Sequence, residues 1–156
     1  RLAADRALSL DNPSATDGAR MFSKWMAHSY YADDLDISGV ITTFGLLHVI
    51  FTLRVGNYRF KSKISLGDGG DLELRSRVRA HGNFIENVPI ALLLILLNDL
   101  DGAQNSTLVV MGSILLASRL THYLTIVTLR LPWILRPLSM LGTLGTILAA
   151  SLMLLI

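Results

Sequence analysis

A stripe of polar side chains, made of Arg79, Asn83 and Glu86, lies directly before the apolar run of residues 90–97. Their i, i+4 and i+7 spacing places all three on one face of a helix. Arginine presents a planar charged fork that matches carboxylates, and asparagine offers both a donor and an acceptor. The apolar run is too short to cross a bilayer alone, so the stripe must also enter the membrane, where ionisable groups are usually functional. We therefore predict that it binds a small anionic ligand with peptide groups; the alternative for Arg79 is that it only reaches the interface.

A second polar group lies in a later apolar segment, where Arg119 is followed by His122 and Tyr123. His122 and Tyr123 lie within about one helical turn of Arg119, so either could hydrogen-bond the same ligand. The alternative is that each is a hydrogen-bond donor between helices. Because an isolated charge in a membrane is costly, we predict that Glu86 pairs with Arg119 across neighbouring helices. Such a pair would either serve the ligand site or only clamp the helices.

The composition is typical of an integral membrane protein. The chain has 156 residues, of which 51% are hydrophobic, and a mean hydropathy of +0.49. The apolar residues occur in long blocks, as expected for several membrane spans. The net charge is only +2, and the basic residues flank apolar blocks, which favours membrane lipids over nucleic acid as a partner. There is no cysteine, and no histidine and carboxylate residues have metal-ligand spacing, so no metal site is predicted.

The elements that position these residues are predicted to be four helices of an all-α transmembrane bundle in residues 37–156. The predicted spans are residues 37–53, a helix from residue 72 or 75 to residue 98 with a kink at Pro89, residues 106–129, and residues 132–156. Pro132 is expected to open the last span, because a helix start tolerates a missing donor. Residues 1–36 are predicted to be a polar extension. Within it, residues 20–31 form either an amphipathic helix on the membrane surface or part of a loosely ordered arm.

The distribution of charge predicts the orientation in the membrane. Residues 1–36 and 98–105 together hold four basic and eight acidic residues, whereas residues 54–86 and 119–136 hold ten basic and four acidic ones. An excess of Lys and Arg marks the cytoplasmic, matrix or stromal side. Both termini are therefore predicted to face the opposite compartment. The expected location is a bacterial inner membrane or an organellar membrane, mitochondrial or plastid.

The run Arg79-Ala80-His81-Gly82-Asn83-Phe84-Ile85-Glu86-Asn87-Val88-Pro89 resembles the second-helix signature of the MAPEG family, the membrane-associated proteins in eicosanoid and glutathione metabolism. The matched pattern is Arg-Ala-x-x-Asn-x-x-Glu-x-x-Pro, followed by an apolar run in a chain with four spans. Residues 65–71 and 118–122 look like the bacterial-type branch of that family. The resemblance covers residues 37–156.

This resemblance implies a homotrimer of four-helix subunits, with active sites between neighbouring subunits near the basic side of the membrane. It also implies glutathione as a co-substrate, which is transferred to lipophilic electrophiles or used to reduce lipid hydroperoxides. Arg79 matches the arginine that holds a glutathione carboxylate, and Asn83 and Glu86 match its hydrogen-bonding partners. Arg130 and Arg136 compete for the role of the arginine that stabilises the thiolate. A nearby guanidinium favours ionised sulfur and so lowers the thiol pKa.

Arg119, His122 and Tyr123, chosen for their place on the third helix, complete the predicted glutathione-binding set. Asn87, His122 and Ile126, however, stand where the leukotriene-forming branch has tyrosines, and Ile126 cannot hydrogen-bond. Whether the chain is an enzyme is therefore left open. The alternative is a non-catalytic subunit that keeps the fold and serves the assembly of a larger membrane complex.

Overall fold

The computed structural model describes residues 17–22, 37–128 and 131–155 of the chain. Residues 37–156 belong to one compact unit, which contains four long helices. They are α1, Ile37–Ser62; α2, Leu72–Leu100; α3, Asn105–Thr128; and α4, Leu135–Met153. Each is long and apolar enough to cross a membrane. The predicted all-α bundle of four transmembrane helices is therefore confirmed.

Only residues 17–22 of the N-terminal extension are described, and they are helical. The surface helix predicted for residues 20–31 lies for the most part outside the described residues.

Helix α1 extends nine residues beyond residue 53, the predicted end of the first span. Charge ends an apolar run but not a helix, because Arg and Lys are good helix formers and suit the negative end of the helix dipole. After α1, Lys63 adopts a left-handed backbone with φ 55°. The Ile64 amide then donates to the Arg59 carbonyl at 3.2 Å and the Lys63 amide to the Phe60 carbonyl at 3.4 Å, the pattern of a Schellman stop.

A short connector, residues 63–71, joins α1 to α2 and ends in the N-cap of α2. The Asp71 carboxylate accepts from the Glu73 and Leu74 amides, both at 2.9 Å, and from the Tyr58 hydroxyl at 3.0 Å. These bonds, led by that from the Leu74 amide, hold the pKa of the Asp71 carboxyl below its usual range. The connector is thus fixed to both helices that it joins.

The remaining helix boundaries, including the end of α4 at Met153, lie within three residues of the prediction. Helix α2 continues through Pro89 without a break. Helix α4 begins at Leu135 and not at Pro132, whose carbonyl instead accepts from the Leu135 amide at 3.1 Å in a preceding turn. Pro137 lies in the first turn of α4, where its missing amide hydrogen removes no helical bond.

Helix α2 packs one apolar stripe against its neighbours. The buried stripe consists of Ala80, Phe84, Val88, Ala91 and Ile95. These positions are three or four residues apart and therefore face the interior together. The outer surface of the bundle carries large exposed aliphatic side chains along all four helices, which is what a lipid-facing surface requires. The stripe leaves the adjacent face of α2, which carries Arg79 and Glu86, outside the core.

Candidate functional site

An open groove of about 390 Å³ lies at the end of the bundle where α1 ends and α2 begins, here called the basic end. It is lined by Arg59, Gly67, Asp68, Arg75, Val78, Arg79, Gly82 and Glu86. The lining side chains include three guanidinium groups and two carboxylates. The groove therefore offers charges of both signs next to the apolar part of α2.

One face of α2 supplies five of the eight lining residues, namely Arg75, Val78, Arg79, Gly82 and Glu86. These residues follow the i, i+3, i+4, i+7, i+11 pattern of a single helical face. The prediction that Arg79 and Glu86 share a face is confirmed. Both side chains are exposed, and neither makes a hydrogen bond or ion pair within the described part of the chain. Both charges are therefore available to a ligand.

Asn83, the third member of the predicted stripe, lies between them but does not line the groove. Its side-chain amide donates along the helix to the Arg79 carbonyl at 3.1 Å. Its own carbonyl accepts from the Asn87 side chain at 3.1 Å. The residue is half-buried. Ligand binding by Asn83 stays a prediction.

Arg59 at the end of α1 and the connector together supply the other wall of the groove. Arg59 donates from Nη1 to the Gly67 carbonyl at 2.8 Å, and Arg75 donates from Nε to Asp68 Oδ2 at 2.5 Å. Asp68 Oδ1 accepts from the Gly70 amide at 3.0 Å, and the Arg75 and Gly70 bonds together hold the pKa of the Asp68 carboxyl below its usual range. These bonds fix the two arginines in place before any ligand arrives.

Sequence reasoning missed Arg59, Asp68 and Arg75 as groove residues. The spacing of Arg75 from Arg79, four residues along one face, was a signal that could have found it. No comparable signal existed for Arg59 and Asp68, because only the folded connector brings them to this face.

The predicted ion pair between Glu86 and Arg119 is wrong within the described chain. Arg119 is 2% exposed and points into the junction of α2, α3 and α4, whereas Glu86 points outward. Arg119 donates to the Asn83 and Ser139 carbonyls, both at 3.4 Å, and to the Met140 sulfur at 3.6 Å. Its guanidinium is therefore held by weakly bonded acceptors of neighbouring helices, and its Nε has no hydrogen-bond partner in the described structure.

His122 and Tyr123 also face the interior. His122 Nδ1 lies 3.0 Å from the Ser139 hydroxyl on α4, a contact that ties α3 to α4. The Tyr123 ring stacks on Phe51 of α1 with ring centroids 3.7 Å apart. Each side chain thus joins α3 to another helix. Ligand binding by Arg119, His122 and Tyr123 stays a prediction, and within one subunit none of them lines the groove.

Of the two arginines predicted to activate a thiol, Arg136 lies exposed in the first turn of α4 and does not line the groove of its own subunit. Arg130 lies outside the described residues. The described residues hold no group of three or more His, Cys, Asp or Glu side chains that could bind a metal ion.

The four helices and their lipid-facing surface define a multi-pass integral membrane protein. Comparison with known families places it more closely. The sequence profile of the MAPEG family matches residues 37–156, which covers the whole bundle, and the chain belongs to that family.

Two curated relatives were found that are both named inner membrane protein YecN. The protein from Escherichia coli K12 is 41% identical over 78 residues, which are 50% of this chain and 60% of the relative. The protein from Escherichia coli O6:H1 matches to the same extent. The chain therefore spans about three fifths of the length of these relatives. No solved structure matches the chain.

Proposed function

We propose that this protein is a glutathione-dependent membrane transferase or peroxidase that acts on lipophilic electrophiles or lipid hydroperoxides. One observation carries the proposal: the groove holds Arg79 and Glu86 on one open face, both without an ion pair in the described chain. Membership of the MAPEG family supports it. Glutathione would supply the sulfur nucleophile.

The charges of the groove fit a peptide that carries two carboxylates and one ammonium group. Arg79 and Arg59 provide cations for the carboxylates, and Glu86 provides an anion for the ammonium group. Arg59 is already held by the connector, so less conformational entropy is lost when it binds. Arg79 and Glu86 need not break an existing pair.

We further propose that the site is completed by a neighbouring subunit in a homotrimer. The groove of one subunit is open and contains no arginine from α4. Arg136 is exposed on α4, where it could reach the groove of a neighbour; Arg130 competes for the same role. A guanidinium next to the sulfur would favour the thiolate and lower the thiol pKa.

A second candidate function is that of a non-catalytic subunit in a larger membrane complex. The inward orientation of Arg119, His122 and Tyr123 favours it, because each of them links helices of one subunit. Purification in mild detergent separates the two functions. A free trimer favours the enzyme, and stable co-migration with other proteins favours the subunit.

Calorimetric titration with glutathione tests the proposal directly. Arg79→Gln should weaken binding by about tenfold or more, since a charge-assisted hydrogen bond contributes about 1.5–3 kcal/mol. Lys63→Gln is the matched control, because it removes an exposed cation at the same end that does not line the groove. No binding at millimolar glutathione, or equal binding by both variants, would refute the proposal.

Mixed assembly tests the shared site. Arg79→Gln and Arg136→Gln are each expected to abolish turnover of 1-chloro-2,4-dinitrobenzene. Trimers assembled from equal amounts of the two variants should then recover about a quarter of the active sites, because one groove in four pairs an intact Arg79 with an intact Arg136 of the neighbouring subunit. Recovery of ultraviolet thiolate absorbance should follow the same proportion. No recovery in confirmed mixed trimers would show that the two arginines do not meet across a subunit boundary.

A further inference from the structure

We propose that the outward face of α1 binds an anionic phospholipid, at a site separate from the glutathione groove. An apolar stripe, called here the α1 stripe, runs along this face and consists of Leu46, Ile50, Leu53 and Phe60. Their spacings of four, three and seven residues keep them on one side of the helix. They are 62%, 50%, 57% and 87% exposed, respectively. Between Leu53 and Phe60 the same side of the helix carries Gly56 and Asn57, so the part from Leu46 to Leu53 is the surface suited to an acyl chain.

Two cations flank the upper part of the α1 stripe. Arg54 and Lys61 are seven residues apart, so they lie on one face and about 10 Å apart along the helix axis. Both are exposed, and each immediately follows a member of the stripe in sequence. Neither forms an ion pair with any described residue. Because the long side chains of arginine and lysine can extend their charged ends towards the interface, both charges can reach the depth of a lipid phosphate.

Three carboxylates at the basic end are already bonded to other groups of the chain. They therefore cannot neutralise the cations of an identical surface on a second copy. Asp68 bonds Arg75 at 2.5 Å, and Glu73 bonds Arg77 at 2.6 Å. Asp71 caps α2. A second copy of this chain that met the α1 stripe with its own α1 stripe would therefore add cations to cations.

Glu86 is the exception among the described carboxylates of this end, and it lies in the groove. The groove is built on a different face of the molecule, and neither Arg54 nor Lys61 lines it. A phospholipid with net negative charge supplies what the α1 face lacks, a phosphate for the two cations and a chain for the stripe. Anionic lipids of the cytoplasmic leaflet attract Lys and Arg in this way.

The test compares the binding of phosphatidylglycerol and phosphatidylcholine to the whole protein in neutral detergent, measured by native mass spectrometry in lipid competition. The unaltered protein should prefer phosphatidylglycerol. The double variant Arg54→Gln/Lys61→Gln should lower that preference by about 30-fold, about fivefold for each cation. The charge-preserving variant Arg54→Lys/Lys61→Arg is the matched control and should keep the preference. Added salt should weaken it, because exposed charges are screened.

Equal binding of the two lipids by the unaltered protein would overturn the proposal, including the case in which another subunit covers the stripe. A preference that survives Arg54→Gln/Lys61→Gln would also overturn it. Size-exclusion elution shows whether the double variant still folds, and each single variant is measured beside it. If it does not, the single Lys61→Gln variant decides, with an expected loss of about fivefold. Leu53→Ser should weaken the binding of both lipids to a similar extent, which separates the role of the stripe from that of the cations.

Discussion

Replacing Glu86 by glutamine should leave the stability of the bundle unchanged and weaken glutathione binding. The side chain is exposed on α2 and makes no ion pair within the described chain. Glutamine keeps its shape and removes its charge. Surface substitutions of this kind change the free energy of unfolding by no more than about 0.5 kcal/mol. A loss of affinity without a loss of stability is the mark of a residue that serves a ligand and not the fold.

The effect of this substitution on the free energy of unfolding depends on whether the Glu86 carboxylate neutralises Arg119. If Glu86 neutralised Arg119 inside the bundle, the substitution would leave a buried cation unpaired and cost about 3–5 kcal/mol. In the structure, Arg119 bonds carbonyls of Asn83 and Ser139, which the substitution leaves in place. The two arrangements therefore differ by at least about 2.5 kcal/mol, which is well above the error of an unfolding measurement.

The assay is unfolding in mixed micelles titrated with sodium dodecyl sulfate and followed by circular dichroism. Phe84→Ala is the comparison variant, because it empties a buried apolar site and should cost about 3–5 kcal/mol. Glutathione titration on the same preparations gives the affinities. A cost of 3 kcal/mol or more for Glu86→Gln would show that its carboxylate neutralises Arg119, from the same or a neighbouring subunit, and would refute the outward assignment.

Two further predictions concern helix packing and pH. Gly112→Ala would bring a methyl group to 2.6 Å from Val40 Cγ1. Because valine is stiff at χ1, we expect the free energy of unfolding to fall by about 1–3 kcal/mol. Gly145→Ala meets no atom within 4 Å and should raise the free energy of unfolding by up to about 1 kcal/mol. Equal effects of both in the same unfolding assay would contradict this packing. Asp68 has a lowered pKa in the folded state, caused first by its bond from Arg75. Its contribution to stability is therefore fully present above its unfolded pKa, about 4. That contribution is lost as the pH falls through the lower folded pKa. The difference in stability between the unaltered protein and Asp68→Asn should thus be constant at neutral pH and shrink below about pH 4; a difference that shrinks on raising the pH would have the wrong sign.

The helices could be predicted closely because lipid imposes a strong rule on sequence. A span must be apolar over about 20 residues, so its core is visible as a hydropathy block. The end of α1 was less visible, because the helix continues to Ser62 through residues that leave the apolar region without leaving the helix. The start of α4 was shifted because Pro132 accepts the bond of a preceding turn before the helix begins at Leu135.

The candidate site could be predicted only as far as a single helix reaches. The i, i+7 spacing of Arg79 and Glu86 fixed their common face, since helical geometry is local. Whether Glu86 meets Arg119 depends instead on how α2 is rotated against α3, and the buried stripe around Phe84 turns Glu86 outward. Arg59 joins the groove through the folded connector, a tertiary feature with no local pattern.

The outward position of both charges on α2 has a consequence for the ligand. Arg79 and Glu86 are seven residues apart, so they are about 10 Å apart along the axis and cannot neutralise each other. Neither charge has a partner within the described chain, so each is open to a partner from outside the subunit. A ligand that carries an anion at one end and an ammonium group at the other satisfies both charges at once. A ligand with only one of these groups satisfies one charge and leaves the other to water. The spacing therefore matches an extended zwitterionic molecule better than a simple anion, which supports the proposal of a peptide ligand over free phosphate.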